Sequence, residues 1–157
     1  MITAKIEHVS KDEEANGRLW VEIVDLLADY WAKRGADVFD EDSNLAVDDL
    51  IQGWFGKTIV VSIARDEDGK PVGLALAIQF RHIFYASNLM VVEVIHANEQ
   101  EGYNALVDSL KTYSEVSGVD DLYFSIPKRD QDLPNILVQA GVEMLPADDI
   151  TQRKVKI

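Results

Sequence analysis

The chain has 157 residues, 47% of them hydrophobic, enough for one domain with a real core. It carries 28 acidic against 15 basic residues, a formal charge of −13, which argues against direct nucleic-acid binding and against an anionic membrane, and favours a cationic partner. Cysteine is absent, so disulfides, thiolate nucleophiles and thiolate metal sites are excluded. No run reaches the roughly 18 apolar residues of a membrane helix, and the N-terminus lacks the apolar stretch of a signal peptide, so a cytoplasmic protein is the expectation. The acidity also reads simply as a solubility surface.

Residues 2–9 alternate loosely, with Ile2, Ala4 and Ile6 opposed to Thr3, Lys5 and Glu7, and predict a first strand. Residues 10–18 read as a loop or a weak helix entry. Trp20, Ile23, Val24, Leu27, Tyr30 and Trp31 then recur at helical spacing over residues 19–33, with Gly35 as the stop. Packing is the expected role of these aromatics, and Tyr30 and Trp31, at the end, could also border a cleft. Residues 37–49 hold six acids and no base, with Ser43 or Asn44 placed to cap a short helix through Gln52. That segment reads either as a solvated loop or as an attractor of cations. A calcium-loop reading lacks the spacing and the glycine.

Residues 58–65 are β-rich, Asp66 to Pro71 supply turn chemistry, and residues 72–80 are β-like again, which together predict a hairpin. A further strand is expected over residues 88–95. A polar loop follows it and turns at Gly102 into a helix marked by Tyr103, Leu106, Val107, Leu110 and Tyr113, ending near Gly118. Residues 121–126 predict a short buried strand closed by Pro127. Leu133, Ile136, Leu137 and Ala140 predict a short helix ended by Gly141, and residues 142–145 and 151–157 are the expected last strands, around a turn at Pro146. The order gives one α/β domain over residues 1–157, with a mixed sheet covered by helices.

The stretch from Asn88 to Leu110 carries most of the functional information. A strand feeding a helix N-terminus is a common phosphate site, because the first helical N–H groups are unpaired and point outward. Here the loop has Glu99 and Glu101 and no Arg or Lys. Glu93 lies inside an apolar run, Val91-Val92-Glu93-Val94-Ile95. Buried, it would have its pKa raised toward that of a general base; on the strand's polar side it would simply face water. His96 is a second candidate base, with a structural role as its alternative. His8 and His82 have no metal-site spacing with any carboxylate. No Gly-x-Ser-x-Gly elbow, P-loop or dinucleotide fingerprint occurs, so hydrolase, NTPase and dehydrogenase readings lack support.

The element order, with its loop-to-helix turn after the central strand, resembles the GNAT family of acyl-CoA N-acyltransferases over nearly the whole chain. The resemblance implies a mixed, mostly antiparallel sheet flanked by about four helices. It also implies a coenzyme loop with the signature Arg/Gln-x-x-Gly-x-Gly/Ala. With Gly102 on the first glycine, Glu99 stands on the Arg/Gln position and Asn104 on the final Gly/Ala. Acetyl-CoA contacts are then implied for Glu99, Gln100, Glu101, Gly102, Tyr103 and Asn104. The thioester carbonyl is implied to lie against strand amides near Val92 and Val94, with Glu93 as the base. Counting back from Gly141-Val142, Leu137 falls on the tyrosine that commonly serves as general acid, Asp130 on an asparagine and Leu133 on an alanine. Leucine cannot give a proton, and Tyr85, Tyr103 and Tyr123 are substitutes by residue type only.

The implied activity is transfer of an acetyl group from acetyl-CoA to a primary amine, a small cationic one or a lysine-bearing peptide. The family often pairs by sheet edges, so a homodimer is an expectation. The main alternative is a GNAT-like binding module that no longer catalyses, of a kind found in viruses and mobile elements; Glu99, Glu101 and Leu137 favour it. An acidic decoy that blocks a basic protein is a third reading.

Overall fold

The structure is a computed structural model that describes residues 1–35, 47–81, 84 and 86–143. Most of the acidic segment, His82, Tyr85, the turn at Pro146 and nearly all of the two closing strands lie outside the described residues.

Among the described residues, five strands form one sheet in chain order: β1 (Thr3–Glu7), β2 (Ile59–Arg65), β3 (Pro71–Arg81), β4 (Asn88–Ala97) and β5 (Asp121–Phe124). The first four pair antiparallel, and β4 pairs with β5 in parallel. The hairpin between β2 and β3 forms as its turn chemistry predicts. Asp66 Oδ1 accepts the amides of Asp68 and Lys70, and Gly69 takes the positive φ of 80°.

Among the described residues, four α-helices cover the sheet: α1 (Glu13–Tyr30), α2 (Val47–Phe55), α3 (Gln100–Val116) and α4 (Leu133–Gln139). The first starts six residues before its apolar periodicity. Asp12 caps it by accepting the Glu14 and Ala15 amides, and Glu13 and Glu14 suit the positive end of its dipole. A π-helical turn, Trp31–Gly35, continues α1. None of the described helices is long and apolar enough to cross a membrane.

The sheet has a core on each face. On one, α1 and α2 bring Ile23, Leu27 and Trp54 against Val61, Ile63, Leu74 and Leu76. On the other, α3 and α4 bring Leu106, Leu110 and Leu137 against Ala64, Ala75, Met90 and Val92. From Val60 to Ala64 on β2 and from Gly73 to Ala77 on β3, residues alternate between these cores.

On β4 the alternation breaks. Leu76 pairs with Val94 and the next residue, Ala77, with Val92, so Glu93 has no partner on β3. This is a β-bulge, and it exchanges the faces of everything after it. Met90 and Val92 face α3, whereas Val94 packs in the α1 core and His96 bonds to α1. Glu93 is exposed, so the burial on which its role as base was argued is missing.

Candidate active site

Past the bulge, β4 also leaves β5. Their register runs from Leu89 opposite Asp121 to Val92 opposite Phe124, and the Ser125 amide donates to the Val92 carbonyl at 2.8 Å. The chain then departs toward Pro127 while β4 continues to Ala97. A wedge opens between the two strands, with the α3 N-terminus at its mouth. Chain continuity brings Glu99, Gln100, Glu101, Gly102, Tyr103 and Asn104 to that mouth, and the bulge sets Val92 and Val94 at the wedge's origin.

The α3 N-terminus has an unusual cap. Glu99 is extended, with φ −135° and ψ 155°, and makes no side-chain cap bond. The Gly102 amide donates to the Glu99 carbonyl at 3.1 Å, so the Gln100 and Glu101 amides precede the first helical hydrogen bond. Gly102 is buried against the end of β4, where a Cβ would come within 2.7 Å of the Ala97 Cβ. Glycine is needed here for close packing of helix on strand. Glu101 accepts the Ile2 amide at 2.9 Å and lines a hollow of about 330 Å³ together with Asp66, Glu67, Asp68 and Glu99. The first-turn amides suit a pyrophosphate; the carboxylates beside them oppose one.

Side chains bond to one another around the α3 N-terminus. Arg34, from the π-helical turn that continues α1, bonds to residues of the α3 face. There its Nη1 donates to the Tyr103 hydroxyl at 3.2 Å and its Nη2 to Asp130 Oδ1. Asp130 Oδ1 also accepts the Leu133 amide at 3.1 Å. Burial works against the Arg34 charge, but the bonds to Asp130 and Tyr103 outweigh it and raise its pKa. Gln100 Nε2 donates both to Asn104 Oδ1 and to the Ile136 carbonyl, each at 2.9 Å, which ties α3 to α4. Burial, followed by the nearby charge of Asp130, raises the pKa of the Tyr30 hydroxyl.

The second polar cluster lies where β4 ends against α1. His96 is 3% exposed, and its Nε2 lies 2.9 Å from Asp29 Oδ2. Lys33 bonds Asp29 at 3.0 Å and Asn98 at 2.8 Å, and the Tyr30 ring sits 5.5 Å from the imidazole. Burial would raise the Asp29 pKa, but hydrogen bonds from His96 and Lys33 prevail and lower it. Burial lowers the His96 pKa against the opposing pull of Asp29. An ionised Asp29 can only accept, so Nε2 carries the imidazole proton and Nδ1 is bare. That Nδ1 is buried with no hydrogen-bond partner.

Sequence reasoning reached His96 but not Asp29 or Arg34. Asp29 and Lys33 stand one helical turn apart, as do Tyr30 and Arg34, yet that spacing also marks an ordinary helix surface. Leu137 is fully buried in the α3 core, and the Tyr103 hydroxyl accepts from Arg34.

No protein-family model and no curated protein sequence matches this chain. Solved structures do. An aminoglycoside acetyltransferase from an uncultured soil metagenomic sample superposes with a TM-score of 0.68 at 13% identity, over 92% of each chain. A ribosomal-protein-alanine N-acetyltransferase from Brucella melitensis gives 0.65 at 17%, over 93% of this chain and 94% of that one. Glucosamine-6-phosphate N-acetyltransferase from Arabidopsis thaliana gives 0.54 at 13%, over 92% and 94%. The chain therefore has the GNAT acyltransferase fold. Identities this low speak for the fold alone.

Proposed function

We propose that this chain is an N-acetyltransferase that moves an acetyl group from acetyl-CoA to a primary amine. The bulge at Glu93, with β4 then leaving β5 in front of the α3 N-terminus, is the observation that supports this best. Residues from Glu99 to Asn104 hold the coenzyme's phosphates through first-turn amides. Amides beside the bulge, at Val92 and Val94, polarise the acyl carbonyl. Glu93, exposed on the bulge, draws a cationic amine by its charge. The charge of −13 favours such an acceptor, and amine-bearing acceptors are named for two of the similar structures. Thiol release from acetyl-CoA, measured over a panel of polyamines, aminoglycosides and lysine peptides, tests the proposal. No release with every amine, together with no coenzyme A binding by calorimetry, sinks it.

A second reading, a GNAT-fold binding module without catalysis, is favoured by the side-chain bonds already made around the α3 N-terminus, Arg34 to Tyr103 and Asp130 and Gln100 to Ile136. Leu137 in the acid's place adds to it. A thermal shift separates the two readings. A rise of several degrees with acetyl-CoA supports a live site, since a ligand bound only by the native state stabilises it. An unchanged melting temperature supports the module.

A further inference from the structure

Native proteins rarely leave a buried polar atom unpaired, and each such atom calls for an explanation, a catalytic role among them. His96 Nδ1 is such an atom. It lies three residues past the bulge, on the face of the sheet opposite α3. The bulge sends it there, because without the extra residue position 96 would face α3. Asp29 and Tyr30 face the imidazole from α1, and Lys33 and Arg34 from the π-helical turn. Tyr103 and Asp130 lie just beyond, through Arg34.

We infer that His96 Nδ1 is the proton acceptor for the attacking amine, with Asp29 as the residue that positions it. The inference rests on the acetyl-transfer reading. An alkyl ammonium, with a pKa of about 10, must lose two protons on the way to an amide. The first leaves at the exposed rim, to water. The neutral amine's lone pair then bonds the acyl carbon, and the carbon–sulfur bond breaks with its electron pair on sulfur. The second nitrogen proton passes to Nδ1, and sulfur takes one proton from solvent. The imidazolium then returns its proton to solvent, so that in sum ammonium and thioester give amide, thiol and one released proton. Asp29 fixes the other ring proton on Nε2, which keeps the Nδ1 lone pair free. Burial keeps the ring neutral at physiological pH, the form a base must have.

Nitrogen-15 NMR of the unliganded protein reads the tautomer without turnover, and the expected result is a neutral ring with its proton on Nε2. In kinetics, His96→Gln is expected to lose at least about 100-fold in kcat and the acid limb of the pH profile, while the thermal shift with acetyl-CoA persists. Asp29→Asn is expected to move the ring proton to Nδ1 and to lower kcat with little change in KM. If His96→Gln does not fold, the NMR tautomer and Asp29→Asn decide. A wild-type ring protonated on Nδ1, or a His96→Gln variant within about threefold of wild-type kcat, overturns this inference alone. Wild-type protein that neither binds coenzyme A nor releases thiol overturns it together with the acetyl-transfer reading.

Discussion

At position 102 only a hydrogen fits where a side chain would begin. Gly102→Ala puts a methyl 2.7 Å from the Ala97 Cβ, and neither partner is the flexible end of a long side chain. Overpacking of this kind costs about 1–3 kcal/mol, partly offset by alanine's better helix propensity. Urea unfolding is expected to show a net loss of about 1–2 kcal/mol, recovered in part by adding Ala97→Gly. His96 gives a second expectation at this scale. Its folded pKa lies below the ordinary histidine value of about 6.5, so on acidification the unfolded chain takes up the proton before the native ring does. Stability therefore falls as pH drops below about 6.5, down to the native value. Asp29, whose pKa is lowered, adds stability above the ordinary carboxylate range that is lost only at lower pH. The urea midpoint should decline between about pH 7 and 5.5, and that decline should flatten in His96→Gln. A flat profile in the wild type would contradict the buried neutral ring.

Among the elements, β4 sets the site. Its sequence reads as a continuous apolar strand, and a period of two over residues 88–95 cannot reveal that one residue is extra. The bulge decides that Val94 and His96 look toward α1. Deleting Glu93 would return them to the α3 face and send Ile95 and Ala97 out of their core, so loss of cooperative folding is expected by circular dichroism. Glu93→Ala changes an exposed side chain only and should stay within about 0.5 kcal/mol of wild type. If the deletion folds as well as the substitution, the bulge is not what fixes these faces. α1 shows another limit of periodicity. Its first turns, with Glu13, Glu14, Gly17 and Arg18, carry no apolar stripe, and only the Asp12 cap marks their start.

For the molecule as a whole, charge is the governing quantity. A protein of −13 with Glu99 and Glu101 at its candidate phosphate loop repels coenzyme A at long range. Raising ionic strength from about 0.01 to 0.15 M shortens the screening length from about 30 to 8 Å. Calorimetry should accordingly show coenzyme A binding that tightens with salt, against the usual trend for phosphate ligands held by Lys and Arg. Binding that weakens with salt would mean that basic side chains, rather than backbone amides, hold the phosphates.

The order of elements through α4, the hairpin turn, the α3 loop and the GNAT resemblance were legible in the sequence, because each rests on contacts between near neighbours in the chain. Apolar period, turn residues and caps act over a few positions. The site's side-chain partnerships were not legible. Asp29 meets His96 across 67 positions, Arg34 meets Tyr103 across 69 and Asp130 across 96. No local pattern encodes such pairs. They form only when a bulge turns one strand over and the end of α1 is brought beside the α3 N-terminus.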